Sequence, residues 1–359
     1  MNFSFWKQKK VFITGHTGFK GSWLSLWLNG LGADVFGYAL EPITQPSLYS
    51  LTNLNQAMSS QIGNICDYEA MKSYLIKSDP EIIFHMAAQP LVRYSYANPI
   101  ETYNTNVLGT VNLLNIARNL KNLRAIIIVT TDKCYQNKEW VWPYRETDTL
   151  GGYDPYSGSK ACAELVVDTF RQSFFNIDNY KEHGVAIASA RAGNVIGGGD
   201  WSEDRLIPDF FKAYEKKATL QIRSPNAIRP WQHVLEPLHG YMKLAFNLYI
   251  EGPEFSGAWN FGPSPNDFKS VKSLIETLSA RIRNGPDVLF DSDESLHEAQ
   301  ILKLDSSKSI INLDWKPFLQ SDDAIELTLL WYETYYNHED CYKFSLEQIN
   351  NYQNLIEGK

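Results

Sequence analysis

Val11-Phe12-Ile13-Thr14-Gly15-His16-Thr17-Gly18-Phe19-Lys20-Gly21 runs a short apolar strand-like segment into glycines at 15, 18 and 21, ahead of a helical stretch ending near Gly30. Glycine at such places permits a tight turn, lets backbone N–H groups approach a pyrophosphate, and brings helix close to strand. The helix N-terminus adds favourable partial positive charge. Glycine turns between strand and helix are common; the position at the chain's first βα junction makes this one read as a dinucleotide-binding loop, with Gly15, Thr17, Gly18, Phe19, Lys20 and Gly21 as its residues. An acidic residue about 20 positions past the last glycine normally binds a ribose 2′-hydroxyl. The count lands on Glu41, but the second strand puts Ala39 at the usual place, so Glu41 is either that ligand or a solvated loop carboxylate. No Lys or Arg lies between Leu31 and Met71 to hold a 2′-phosphate, which favours NAD over NADP, with Lys20 the one cation inside the loop.

Outward from this loop, apolar runs alternate with longer helical patterns. The predicted strands are Lys10 to Thr14, Asp34 to Tyr38, Met58 to Gly63, Glu81 to Met86, Arg124 to Thr131 and Val185 to Arg191. Ile100 to Leu120 and Pro155 to Phe174 are predicted as the clearest long helices, each with a broad apolar face that suits an oligomer surface. The rhythm is that of an α/β protein with a doubly wound, parallel Rossmann sheet. From Gly197 onward, loops rich in Gly, Pro and Trp mark a less regular region. The expected division is a dinucleotide-binding domain over 1–195 and a smaller mixed α/β substrate domain over 196–359, with a strand near 257–262 rejoining the first sheet.

Composition narrows the function. Acidic residues (41) exceed basic ones (33), giving a net charge of −8, against the positive surface that nucleic-acid binding needs. The apolar runs are far shorter than the roughly 20 residues that cross a bilayer. The first ten residues lack the apolar core of a signal peptide, so a cytoplasmic protein without membrane attachment is expected. Cys66, Cys134, Cys162 and Cys341 form no CxxC pair, and the seven histidines form no HExxH, so neither a disulfide framework nor a metal site is expected.

Tyr156-Ser157-Gly158-Ser159-Lys160 places a phenol and an ammonium four apart on one helical face. Tyr68 and Lys72 share the spacing but sit in a short connecting segment. Tyr156 instead begins a long helix downstream of a strand ending in Thr130-Thr131-Asp132-Lys133. To take a proton from an alcohol near neutrality, a phenol must lose roughly three units from its usual pKa of about 10. An adjacent Lys160 cation and a positive nicotinamide ring are the expected source.

The glycine loop, the Thr131 strand end and the Tyr156/Lys160 pair, in this order, resemble the extended short-chain dehydrogenase/reductase family, in which nucleotide-sugar enzymes dominate. His85-Met86-Ala87-Ala88, Asn106 to Thr110, Arg191 to Asn194, and Trp315-Lys316-Pro317 add to the likeness, which covers nearly the whole chain. It implies bound NAD, with Asn64, Ile65, Ala87, Ala88, Gln89, Asn106 and Thr130 joining the loop, Tyr156 and Lys160 as cofactor contacts. Asp132 after Thr131 resembles the 4,6-dehydratases rather than the 4-epimerases, the alternative reading. The stretches Gly197 to Asp209 and Ile228 to Val234 imply CDP-glucose as substrate, converted to CDP-4-keto-6-deoxyglucose for deoxysugars of the O-antigen type.

In that scheme Tyr156 as phenolate takes the 4-hydroxyl proton, Thr131 binds the 4-oxygen, and Asp132, held protonated, gives a proton to the departing C6 hydroxyl. Arg93, Asn194, Arg205, Pro208, Arg229 and Gln232 are the implied substrate contacts, with Arg205 and Arg229 open to the plainer reading of surface ion pairs. Related dehydratases carry Glu after the Asp as C5 base. Here Lys133 stands there, as a neutral amine base, an enolate-stabilising cation or a solvated side chain. His16 replaces a small residue and is expected to crowd the pyrophosphate. The family implies a homodimer through a four-helix bundle of the two long helices, or a tetramer.

Overall fold

Central strands that read as unbroken apolar runs need both faces covered, and that is how the chain folds. The computed structural model describes residues 2–264, 267–290 and 301–358. Its seven-stranded sheet comprises β1 (Lys10–Thr14), β2 (Asp34–Ala39), β3 (Ser59–Ile62), β4 (Ile82–His85), β5 (Ala125–Val129), β6 (Ala186–Ala192) and β7 (Gly257–Phe261), all paired in parallel. The spatial order is β3-β2-β1-β4-β5-β6-β7. Every residue of β4, β5 and β6 is buried, whereas the edge strand β3 is largely exposed. The chain reverses direction across the sheet between β1 and β4, the switch point at which open α/β sheets bind ligands outside their strand ends.

Helix α1 (Phe19–Gly30) packs on one face of the sheet. The other face carries α2 (Tyr68–Ser78), α3 (Pro99–Tyr103), α4 (Gly109–Ala117) and α5 (Pro155–Ser173) around Met71, Leu75, Leu113, Leu114 and Val167. The 100–120 stretch is helical without interruption from Pro99 to Ala117, but not α-helical throughout. A π-helical turn, Asn104–Leu108, joins α3 to α4, and the last helical residue is Ala117. The wider turn carries Asn106 into the interior, where hydrogen bonds hold both its amide hydrogens.

Beyond β6 the chain forms α6 (Leu206–Lys216), α7 (Leu235–Ile250), α8 (Ser321–Tyr336) and α9 (Cys341–Glu357), with two-residue strands such as Val195–Ile196 and Gln232–His233 between them. Helices α7 to α9 share the α1-side core, in which Trp23, Trp27, Tyr241, Trp331 and Tyr352 are buried. The Gly197 to Gly199 run follows from this packing: a Cβ on Gly198 would lie 1.9 Å from the Trp331 ring. Among the described residues no helix is long and apolar enough to cross a membrane.

Candidate active site

Gly15 closes β1 with φ +77°, and a Cβ there would come within 2.7 Å of the Ala87 backbone nitrogen. At Gly21 a Cβ would meet the Gly15 carbonyl oxygen at 2.1 Å, so glycine alone lets α1 sit this close to the turn. Gly18 caps α1 without a side-chain hydrogen bond and the first turn has no acid, which leaves the first amides available to an anion. The Thr14 hydroxyl accepts the Met86 and Ala87 amides at 3.0 and 3.1 Å and bonds the His85 ring at 2.8 Å, locking β1 to β4 beneath the loop. Thr17 donates to the Leu40 carbonyl at 2.8 Å. A glycine cradle with uncapped amides fits a dinucleotide pyrophosphate.

At this end the crowding expected of His16 does not occur, and two of the expected cofactor contacts are held by the protein itself. The His16 ring packs over Gly37 of β2 and bonds the Ser60 hydroxyl at 2.7 Å, so it is a packing group; burial pushes its pKa down to about 4 and keeps it neutral. Asn106 donates to the Gln89 carbonyl and the Ser159 hydroxyl and accepts the Gln89 amide, and the Gln89 side chain bonds Leu91 and Thr102. Both are therefore clamps under the site, with no amide hydrogen left for a cofactor. Asn64 accepts the Cys66 amide and Ile65 fills the space above Gly109.

That cleft, about 700 Å³, opens where β1, β4, β5 and β6 end. Thr131 follows β5 and caps a 3-10 turn, Asp132–Cys134, accepting the Lys133 amide at 3.3 Å and donating to Asp132 Oδ1 at 3.0 Å. Asp132 is 2% exposed and its Oδ2 has no partner among the described residues. Burial outweighs Lys133, Thr131 and Arg229 and raises its pKa, favouring the neutral acid. Gly193 leaves it room, since a Cβ there would lie 3.0 Å from Oδ2.

Asp154 caps α5 by accepting the Ser157 amide at 2.9 Å, and the helix carries Tyr156 and Lys160 into the same cleft. Lys160 Nζ donates to the Val129 carbonyl at 3.2 Å. Burial pushes the Tyr156 phenol up to about 12, opposed by the Thr131 hydroxyl. Removal from water penalises the phenolate more than the nearby charges help it, with the Thr131 hydroxyl and Arg205 the leading groups that favour it. Lys160 itself is pushed down to about 8 by burial, with Glu164 opposing.

Arg93, Lys133, Asn194, Arg205, Pro208 and Arg229 all line the cleft. Arg205 pairs with Asp200 at 3.0 Å and Arg93 approaches Asp204 at 3.8 Å, so both arginines enter the cleft already paired. Gln232 does not belong here: it is buried, and its amide donates to the Phe261 carbonyl at 2.9 Å, joining the loop to β7. Lys20 lines the wall and has its pKa pushed down to about 7, by burial first and then by Arg205 and Lys160. Sequence reasoning missed the wall formed by Leu220 to Ser224, whose short strand has no motif. It also missed Glu164, although a carboxylate four residues past Lys160 was there to be seen.

The profile of a family described as GDP-mannose 4,6 dehydratase matches residues 12–249. The CDP-glucose 4,6-dehydratase of Salmonella typhimurium is 51% identical over 97% of this chain and 97% of its own. Among solved structures, MoeE5 in complex with UDP-glucose and NAD superposes with a TM-score of 0.76 at 20% identity, covering 91% of this chain and 99% of that one. TunA, an NAD-dependent NDP-hexosamine 5,6-dehydratase, superposes with a TM-score of 0.73 at 19% identity, covering 90% and 97%. These two likenesses speak to the fold alone.

Proposed function

The chain belongs to the GDP-mannose 4,6 dehydratase family, and from that premise we propose that it is a hydro-lyase converting CDP-glucose to CDP-4-keto-6-deoxyglucose with bound NAD. The observation that carries the reading is Asp132, a buried carboxyl with a free oxygen, bonded to Thr131 and lining the same cleft as the Tyr156 phenol. An acid at that place has work in a dehydration and none in a 4-epimerisation. NAD, when bound, supplies a hydride acceptor and returns the hydride within one turnover, so no cosubstrate is consumed.

The protein's own groups manage protons and orientation. Thr131 hydrogen-bonds the sugar 4-oxygen while Tyr156 takes the proton of the 4-hydroxyl. Once C4 is a ketone the C5 hydrogen is acidic; Lys133, as a neutral amine, takes it as a proton while Asp132, protonated by virtue of burial, gives its own proton to the C6 hydroxyl as it leaves as water. The Lys133 ammonium so formed stabilises the enolate, and Lys160 holds ribose hydroxyls. Arg93, Arg205 and Arg229 bind the CDP diphosphate through their planar forks, with Asn194 and Pro208 beside them.

Exposed apolar side chains on α3, the π turn and α5, Ile100 (78% exposed), Leu108 (52%) and Leu165 (56%), support a homodimer built on those helices. The decisive experiment incubates the protein with NAD and CDP-, dTDP-, UDP- or GDP-glucose and reads products by mass. The expected product is one water lighter than CDP-glucose; an isobaric product would overturn dehydration in favour of epimerisation. Replacing Lys133 with Met is expected to slow exchange of label at C5, and unchanged exchange would remove Lys133 from the chemistry.

A further inference from the structure

Tyr156, Lys160 and Glu164 follow one another at four-residue intervals along α5, and only the first two face the cleft. Glu164 is turned into the protein, 4% exposed, and every polar contact it makes is internal. One oxygen accepts the Thr130 hydroxyl and Arg191 Nε at 2.9 Å. The other accepts the Ser189 hydroxyl at 2.6 Å and an Arg191 terminal nitrogen at 2.8 Å. The remaining Arg191 nitrogen donates to the Tyr135 hydroxyl at 2.9 Å and to the Glu146 carbonyl at 3.2 Å, and Tyr135 donates to Asn260 of β7 at 2.7 Å. A single carboxylate thus ties α5 to Thr130 before the Thr131-Asp132 turn, to β6, and through Arg191 to Tyr135 beyond the turn.

We propose that Glu164 is a positioning residue for the dehydration, anchoring the turn that presents Thr131 and Asp132 and supplying the negative neighbour that keeps Lys160 cationic. The inference rests on the functional reading above. A less tethered turn would carry Asp132 away from Tyr156, because Thr130 is the residue immediately before Thr131. The charged and titratable groups that face Lys160 are Glu164 on its own helix, Cys134 on the turn, His85 at the end of β4 and Lys20 on α1. Glu164 is the strongest of those that favour the ammonium. Burial alone would push the Glu164 carboxyl up, but the Arg191 charge and the four donors hold it below the usual carboxylate range, so it stays an anion.

The test is Glu164→Gln, nearly the same size without the charge, with circular dichroism as the folding check. Lys160 titration is read by competitive acetic anhydride labelling and mass spectrometry, which needs neither substrate nor turnover. The expected result is a labelling midpoint at least about one pH unit below that of the unmodified protein, with the alkaline limb of kcat/KM displaced the same way. Glu164→Asp is expected to restore the midpoint while kcat stays low, because the shorter side chain cannot reach Thr130 and Ser189 together. A midpoint that does not move in Glu164→Gln overturns the electrostatic role.

Should Glu164→Gln not fold, Thr130→Val, which removes one tether and keeps the charge, is expected to lower kcat about tenfold at an unchanged midpoint. A kcat equal to that of the unmodified protein would overturn the anchoring role. An unmodified protein that labels as expected but leaves CDP-glucose intact would refute the functional reading instead.

Discussion

Asp132 and Tyr156 line the same cleft, and burial drives both towards the protonated form. For Asp132 that is the working state; for Tyr156 it is the state that must be overcome when the site fills. Tyr156→Phe, which removes the proton acceptor, is expected to lower kcat by about 10²- to 10⁴-fold, measured as product by mass. Asp132→Asn removes the acid while leaving the phenol, so it is expected to block water loss by a comparable factor while reduced-nicotinamide absorbance still builds in a single turnover. Burial pushes the Lys160 ammonium down to about 8. If only its cation is competent, kcat/KM falls as pH rises through about 8, and Lys160→Met removes that limb from the profile.

At the scale of elements, the first βα turn and the α3-to-α5 surface carry separate consequences. Gly21→Ala would push α1 off the Gly15 carbonyl. Overpacking of about 1–3 kcal/mol there corresponds to a weakening of NAD affinity of roughly ten- to a hundredfold, to be read by calorimetric titration. Leu165→Glu combined with Leu108→Glu places charge on the exposed helix faces and is expected to halve the mass measured by light scattering while secondary structure persists; an unchanged mass would rule those faces out as the contact.

For the whole molecule, the wide α1-side core joins the glycine-loop helix to the C-terminal helices. Glu236 on α7 is one of the ties: its Oε1 accepts the Phe318 and Leu319 amides at 2.8 and 2.6 Å. Burial pushes its pKa from 4.5 up to about 7. The folded state therefore binds more protons than the unfolded one between those values, and the stability due to Glu236 declines as pH rises from about 4.5 to about 7. Glu236→Gln keeps the carbonyl acceptor without the ionisation. It is expected to raise stability at pH 8 by about 1–3 kcal/mol, seen as a higher Tm, with the gain gone below about pH 4.5.

The sheet, its parallel sense and the glycine turn were legible because they depend on local patterns: unbroken apolar runs for strands covered on both faces, and glycines where no Cβ fits. The Tyr156/Lys160 pair was legible because a helix fixes which residues share a face. What the sequence by itself determined was thus the fold class and the presence of a phenol, an ammonium and an acid near one strand end. Only the tertiary structure decided that His16 and Gln232 are packing groups, that Asn106 and Gln89 clamp each other, that the helix over 100–120 widens into a π turn, and that the phenol is held high. Each of these turns on how much water the surrounding chain removes and which partners it brings from distant segments, and neither quantity is carried by residue spacing.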